Sequence, residues 1–144
     1  MKFLVHSNFE LADKIWKIIE DRVGDSLVVG LIGDLGAGKT TLVKEIAKKL
    51  GIRQLVSSPT FNIAKLYRIE SDRGLRALYH VDLYRLNKPT KTDLMEIIEQ
   101  ISNKKTLTFI EWIDNSLELF EKADLIIKFK FLSETAREVE VEWK

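Results

Sequence analysis

The segment GDLGAGKT, residues 33–40, places the strongest constraint on how this chain can fold. It has the required glycine, lysine and threonine at every fixed position of the pattern G-x-x-x-x-G-K-[ST]. The glycines allow the backbone to curl so that successive N–H groups converge on one anion, beside the positive end of a helix dipole. The pattern therefore requires a buried strand before it and a helix after it. Without that context, it would be a Gly-rich turn with a solvated lysine.

The residues on either side of this segment supply the required context. SLVVGLI, residues 26–32, is a short apolar run bounded by turn residues, which predicts a buried strand. After the loop, apolar residues recur at helical spacing from Leu42 to Leu50 and stop at Gly51, which predicts an amphipathic helix. We therefore interpret the segment as a P-loop, a phosphate-binding loop whose predicted members are Gly33, Asp34, Leu35, Gly36, Ala37, Gly38, Lys39 and Thr40.

In a P-loop, two of these side chains have chemical roles, and an acidic side chain from elsewhere in the sequence is also needed. Lys39 would contact the β- and γ-phosphates of a nucleotide, and the Thr40 hydroxyl would ligate Mg²⁺. The metal site also needs an acidic group, which usually follows an apolar strand. Asp82 ends the run ALYHVD and Glu111 ends the run TLTFIE, so both are candidates. For each of them, a solvated strand end is the alternative.

Two short segments bear on which nucleotide is bound and how it is sensed. In SSPTF, residues 57–61, Pro59 restricts the preceding residue to extended backbone and would present Thr60 on a short loop. A threonine in such a loop can sense the γ-phosphate through Mg²⁺, and a plain turn before a strand explains the segment equally well. NKPT, residues 87–90, resembles the guanine-reading pattern N-K-x-D but has Thr90 in place of the acidic residue. This substitution favours ATP over GTP.

Three other features have mainly structural interpretations. His80 lies in an apolar, strand-like run, so we interpret it as a structural histidine with its hydrogen bonds satisfied. Trp112 follows Glu111 directly, and strand alternation predicts that the two side chains point to opposite faces. No spacing identifies an arginine finger among the arginines of the central region, which are Arg68, Arg73, Arg76 and Arg85.

Helix signals occur outside the P-loop segment as well. Ser7 and Glu10 form a capping box for a first helix, whose apolar stripe stops at Gly24. A later helix is predicted over 90–103, with helix-start residues at Thr92 and Asp93. Both helices carry apolar residues at the spacing of one buried face.

Strand signals complete the predicted architecture. The segments 60–69 and 75–84 form a hairpin through ESDRG, 107–113 is a further apolar strand, and 125–131 with 137–143 form a closing hairpin. Strands that alternate with helices predict an α/β fold. We expect a single P-loop NTPase-type domain over residues 1–144, with a mixed parallel and antiparallel central sheet and helices on its faces.

Composition narrows the classes of function. Lys and Arg number 23 against 22 Asp and Glu, so no overall field draws the chain to nucleic acid or to a membrane. The absence of cysteine excludes disulfides, thiolate metal sites and thiol catalysis. The N-terminal apolar run is too short for a signal peptide, and no segment approaches a membrane span. We therefore expect a cytoplasmic protein.

Taken together, the motifs resemble those of one family. GDLGAGKTT, SPTF, YHVDLYRL and IEW occur in this order. This arrangement is similar to the TsaE (YjeE) family, small bacterial P-loop ATPases needed to make threonylcarbamoyladenosine in tRNA. The P-loop segment is common to many families, whereas H-x-D-x-Y-R followed by E-W is more restrictive. The resemblance extends from the first helix to the last strands.

The resemblance implies roles for residues beyond the P-loop pattern, with ATP and Mg²⁺ as the cofactors. Thr41 would be the phosphate-loop neighbour and Thr60 the switch-like threonine. Asp82 would occupy the signature acidic position. Glu111 would occupy the metal-linked or catalytic acidic position, with Trp112 beside it.

The resemblance also implies partners. Members of this family work with TsaD and TsaB, of which TsaD transfers the threonylcarbamoyl group to an adenosine next to the anticodon. The chain would bind that pair and use ATP to permit repeated turnover, so it would meet tRNA only through the complex. Two alternatives stay open from the residues alone: a small-molecule P-loop kinase, and a nucleotide-dependent binding module without productive hydrolysis.

Overall fold

The computed structural model describes residues 1–54, 56, 63–70, 74–84 and 90–144. Within these residues, seven strands form one sheet. They are β1 Lys2–Val5, β2 Leu27–Gly33, β3 Ala64–Arg68, β4 Ala77–Asp82, β5 Thr106–Glu111, β6 Leu125–Ser133 and β7 Ala136–Trp143. Their order across the sheet is β1-β7-β6-β2-β5-β4-β3.

The centre of the sheet is parallel and its edges are antiparallel. β2 pairs in parallel with β5 and β6, and β5 also pairs in parallel with β4. At the edges, β3 pairs antiparallel with β4, and β7 pairs antiparallel with β6 and β1. The predicted α/β fold with a mixed sheet is confirmed, and so are the predicted strands before the P-loop and in the closing hairpin.

Helices cover both faces of the sheet. They are α1 Asn8–Ile19, α2 Lys39–Lys49, α3 Lys91–Ile101 and α4 Leu117–Lys122, together with a short 3₁₀ helix at Ile113–Asn115. None of the helices in the described ranges is long and apolar enough to cross a bilayer.

The helix starts agree with the sequence signals except at α3. Ser7 Oγ accepts a hydrogen bond from the Glu10 N–H at 3.0 Å and caps α1 as predicted. α3 is capped by Thr90 and not by Thr92 or Asp93. Thr90 Oγ1 accepts from the Asp93 N–H at 3.1 Å, and Asp93 Oδ2 accepts from the Thr90 N–H at 3.0 Å. This reciprocal pair satisfies two donors at the helix start, so the start moves to Thr90.

Other boundaries also differ from the predictions. β1 and α4 are absent from the predicted elements because four- and six-residue segments carry too little periodicity. α1 ends at Ile19, and the apolar stripe continues in turns to the buried Val23. The strand predicted over 107–113 stops at Glu111, where the chain turns. The tip of the predicted hairpin at 70–74 lies partly outside the described residues.

Alternation along the central strands divides the core into two layers. Leu31 of β2 and Phe109 of β5 belong to the apolar layer shared with α1 and α2, whereas Ile110 packs with Ile97 of α3 in the opposite layer. Successive residues of a strand point to opposite faces. Glu111 therefore shares the face of Phe109 and points toward the start of α2.

Side chains of the opposite layer pack closely against Gly30 of β2, so a substitution there tests this packing. A Cβ on Gly30 would lie 2.8 Å from Cδ1 atoms of Ile113 and Ile126. We predict that Gly30→Ala lowers the free energy of unfolding by about 1–3 kcal/mol through overpacking, as measured by urea denaturation. Gly24→Ala is the control because its Cβ would meet nothing within 4 Å. Equal stability of the two variants would contradict this packing.

Candidate functional site

The carboxyl ends of β2, β4 and β5 meet at one edge of the sheet, beside the N-terminus of α2. The loop 34–38 joins β2 to α2, and Gly36 and Gly38 have φ angles of 80° and 105°, a backbone region that favours glycine. A cavity of about 280 Å³ opens at this edge. It is lined by Leu35, Gly36, Lys39, Thr40, Asp82, Tyr84, Glu111 and Trp112. The fold thus brings the P-loop and both predicted acidic residues together.

Lys39 lies buried at the first position of α2 and points back over the loop. Its Nζ donates to the carbonyl oxygens of Gly33 and, at 2.8 Å, of Asp34. The same Nζ lies 4.5 Å from the centroid of the Trp112 ring. Burial lowers the pKa of the Lys39 ammonium below its ordinary value, although the Glu111 carboxylate opposes that shift. The cation is therefore held at the cavity by backbone carbonyls, which other oxygen acceptors can replace.

Thr40, Glu111 and His80 form a chain of contacts below the cavity. Thr40 Oγ1 lies 2.8 Å from Oε1 and 2.9 Å from Oε2 of Glu111. The second carboxylate oxygen, Oε2, is also in hydrogen-bond contact with Nε2 of His80. Glu111 is 2% exposed, so these contacts stabilise a carboxylate that is removed from water. His80 is therefore linked to the site, although the sequence predicted only a structural histidine.

Asp82 ends β4 directly opposite Glu111 in the strand pairing. Its Oδ1 accepts a hydrogen bond from the Tyr84 N–H at 3.0 Å, which shapes the turn that follows β4. The Leu83 N–H donates to the Glu111 carbonyl at 3.0 Å and holds the two strand ends together. Both predicted acidic residues thus line the same cavity.

Trp112 packs against the layer opposite to the face of Glu111, as strand alternation predicts, and it also lines the cavity. Its φ of 58° falls where the backbone leaves β5. Its N–H donates to the Leu31 carbonyl at 3.0 Å. The ring centroid lies 5.0 Å from that of Tyr84, with the planes tilted by 42°. The two aromatic rings form one wall of the cavity.

The remaining predicted residues contribute less to the cavity wall. Ala37 is buried beneath the loop, and Gly38 is the N-cap position of α2. Thr41 lies in the first turn of α2 and is half-buried. Thr60, the predicted switch-like threonine, lies outside the described residues.

An arginine that the sequence did not point to contacts the P-loop. Arg137 of β7 donates from Nη1 to the Ala37 carbonyl at 3.2 Å and from Nη2 to Oδ1 of Asn8. A Cβ on Gly38 would collide with this guanidinium, so the glycine also makes room for Arg137. Arg68 and Arg76 lie at the opposite end of β3 and β4, where Arg68 pairs with Ala77. Arg73 and Arg85 lie outside the described residues.

The oxygen donors at the cavity are suited to Mg²⁺. The Thr40 hydroxyl and the Glu111 carboxylate are hard ligands of the type this ion takes. The described ranges contain no group of three or more His, Cys, Asp or Glu side chains arranged to hold a metal. Mg²⁺ is usually held by one or two protein oxygens together with substrate phosphates and water. The residues present fit a metal bound together with a nucleotide.

The sequence of this chain is similar to those of known proteins. The family described as "Threonylcarbamoyl adenosine biosynthesis protein TsaE" matches residues 6–139. A Haemophilus influenzae protein named "tRNA threonylcarbamoyladenosine biosynthesis protein TsaE" is 33% identical over 116 residues, which cover 81% of this chain and 70% of the relative. A Bacillus subtilis protein of the same name is 37% identical over 112 residues, which cover 78% of this chain and 66% of the relative.

The fold has a counterpart among solved structures. A crystal structure of YdiB from Bacillus subtilis superimposes with a TM-score of 0.65 and 30% sequence identity. The match covers 96% of this chain and 82% of that chain. The likeness therefore extends over nearly the whole of this chain.

The contacts of Arg137 generate a prediction for stability. We expect Arg137→Ala to lower the free energy of unfolding by about 1–2 kcal/mol, because each of its two hydrogen bonds contributes roughly 0.5–1.5 kcal/mol. Urea denaturation measures the change. Arg76→Ala removes an exposed arginine at the far edge of the sheet and should stay within about 0.5 kcal/mol of the wild type. An Arg137→Ala protein as stable as Arg76→Ala would show that the contact does not brace the loop.

Proposed function

The chain belongs to the TsaE family, and from this premise we propose that it binds ATP with Mg²⁺ and hydrolyses ATP in tRNA threonylcarbamoyladenosine biosynthesis. Family membership supports the role in that biosynthesis. Binding and hydrolysis of ATP are supported chiefly by one observation: the Thr40 hydroxyl lies 2.8 Å from the buried carboxylate of Glu111, next to the P-loop lysine. A threonine and an acidic residue so placed match the metal site of P-loop NTPases.

In this proposal the loop and the start of α2 hold the phosphates. Backbone N–H groups of the loop 34–38 and the helix N-terminus would bind phosphate oxygens. Lys39 would move its Nζ from the carbonyls of Gly33 and Asp34 to the β- and γ-phosphates. Thr41, in the first turn of α2, would add a neighbouring phosphate contact.

The acidic residues would organise the reaction around the phosphates. Thr40 and Glu111 would hold Mg²⁺, which would neutralise negative charge that develops on the phosphates. Asp82 faces Glu111 across the strand pair and is the second acidic candidate, for the metal or for the attacking water. Thr60 would be the switch-like residue that senses the γ-phosphate.

We also propose that intrinsic hydrolysis is slow and depends on partners. The described lining of the cavity includes no arginine. An arginine finger, an arginine that stabilises the charge of the transition state, raises the rate of such enzymes roughly 10³- to 10⁵-fold. We propose that TsaD and TsaB complete the site. With 23 basic and 22 acidic side chains, the chain would contact tRNA through that complex, in the cytoplasm.

The first functional prediction concerns nucleotide affinity. Lys39→Ala removes a charge-assisted contact of about 1.5–3 kcal/mol, so ATP affinity should fall roughly 10- to 150-fold. Lys48→Ala is a matched control in the same helix, because Lys48 is exposed and pairs with Glu45 at 3.1 Å. Titration calorimetry with MgATP measures both variants. Wild-type affinity in Lys39→Ala would show that the P-loop assignment is wrong.

The second functional prediction concerns hydrolysis. Phosphate release from ATP should be slow with the protein alone and should rise when a TsaD–TsaB pair is added. It should vanish in Glu111→Ala, because that variant lacks the carboxylate beside Thr40, and persist in Glu121→Ala, which removes an exposed acid of α4.

Three outcomes would contradict this second prediction in different ways. No response to the pair would overturn the partner-dependent part of the proposal. A γ-phosphate recovered on an acceptor molecule, and not as free phosphate, would identify a kinase. Nucleotide binding without any release would identify a binding module.

A further inference from the structure

His80 is buried beneath the acidic residue of the proposed metal site. Its side chain is fully buried, and Glu111 is almost as inaccessible. β4 and β5 run in parallel, with His80 opposite Phe109 and Asp82 opposite Glu111. Residues two positions apart on a strand share one face, so His80 reaches the Glu111 carboxylate diagonally, from the side of the core.

The direction of this contact depends on the tautomer of His80. An ionised carboxylate only accepts hydrogen bonds, so with Glu111 ionised, Nε2 of His80 carries the proton and donates to Oε2. The other ring nitrogen, Nδ1, is buried and has no hydrogen-bond partner in the described part of the chain. Within the described residues, the His80 side chain thus has one hydrogen-bond partner, the Oε2 atom of Glu111. A satisfied core histidine would use both nitrogens.

Both Glu111 oxygens lie near Thr40, and one of them also contacts the imidazole. Oε1 lies 2.8 Å and Oε2 2.9 Å from Thr40 Oγ1, and Oε2 also contacts His80 from the core side. A glutamate side chain with no partner on the core side could rotate its carboxylate away from Thr40. His80 opposes that rotation.

We propose that His80 is a positioning residue that orients the Glu111 carboxylate, so that the carboxylate faces the Thr40 hydroxyl and the metal. This inference rests on the proposed Mg²⁺-dependent binding of ATP. Hydrogen-bonding partners of metal-ligating carboxylates typically contribute 10- to 100-fold to metal affinity or activity. His80 touches neither the nucleotide nor the metal and acts through Glu111.

Two substitutions separate positioning from simple packing. His80→Gln places an amide N–H near the position of Nε2 and keeps the donor, whereas the shorter His80→Asn cannot reach Oε2. Both variants place a neutral amide in the same buried position, and thermal unfolding checks that each one folds. A fluorescent ATP analogue reports nucleotide affinity with EDTA and across a Mg²⁺ titration.

We expect His80→Asn to raise the Mg²⁺ concentration needed for half-maximal tightening by about 10- to 100-fold, with little change in metal-free nucleotide affinity. His80→Gln should stay near the wild type. Equal Mg²⁺ curves for the two variants, or parallel losses with and without metal, would overturn the inference. A wild-type protein whose nucleotide affinity ignores Mg²⁺ would instead overturn the proposed function.

A second readout needs no metal or nucleotide. The chain has two histidines, so ¹⁵N spectra of labelled protein assign His80 by comparison with His80→Gln. A proton on Nε2 in the metal-free protein supports the inference. A ring protonated on Nδ1 alone would overturn it, because Nε2 would then have no hydrogen to donate to Glu111.

Discussion

The buried carboxylate of Glu111 is the interaction on which the rest of the site depends. A charge removed from water is tolerated in a protein interior only when it is paired or hydrogen-bonded. Glu111 meets this requirement through Thr40 on the side of α2 and His80 on the side of the core. Glu111 and its two partners belong to three elements, so the ends of β4 and β5 and the start of α2 must keep their relative positions.

The parallel strands at the centre of the sheet keep these three elements in place relative to one another. β2, β4 and β5 all end at the same edge, and the Leu83 and Trp112 N–H groups bond to neighbouring strand ends. On the other side of the P-loop, Arg137 of β7 donates to the Ala37 carbonyl. Strand pairing and side-chain contacts between neighbouring elements thus hold the wall of the cavity together.

The sequence predicts those parts of the site that depend on local pattern. The P-loop residues, the strand before them and the helix after them lie within one continuous segment, and the acidic residues follow apolar runs. His80 and Arg137 escape such reasoning because their partners are 31 and 100 residues away and depend on strand register. The place of Trp112 in the cavity wall escapes it because alternation describes only the strand, and the backbone turns left-handed one residue after β5 ends. For His80, the sequence offers one signal of a link to the site: it lies two residues before Asp82, the acidic residue that ends β4.

The most direct test of this account is a crystal structure of the protein with Mg²⁺ and a non-hydrolysable ATP analogue. The account predicts that the triphosphate lies in the loop 34–38 and that Lys39 Nζ leaves the carbonyls of Gly33 and Asp34 for phosphate oxygens. It also predicts Mg²⁺ on the Thr40 hydroxyl, with Glu111 still in contact with His80. A nucleotide bound elsewhere, or a metal on neither Thr40 nor Glu111, would contradict it.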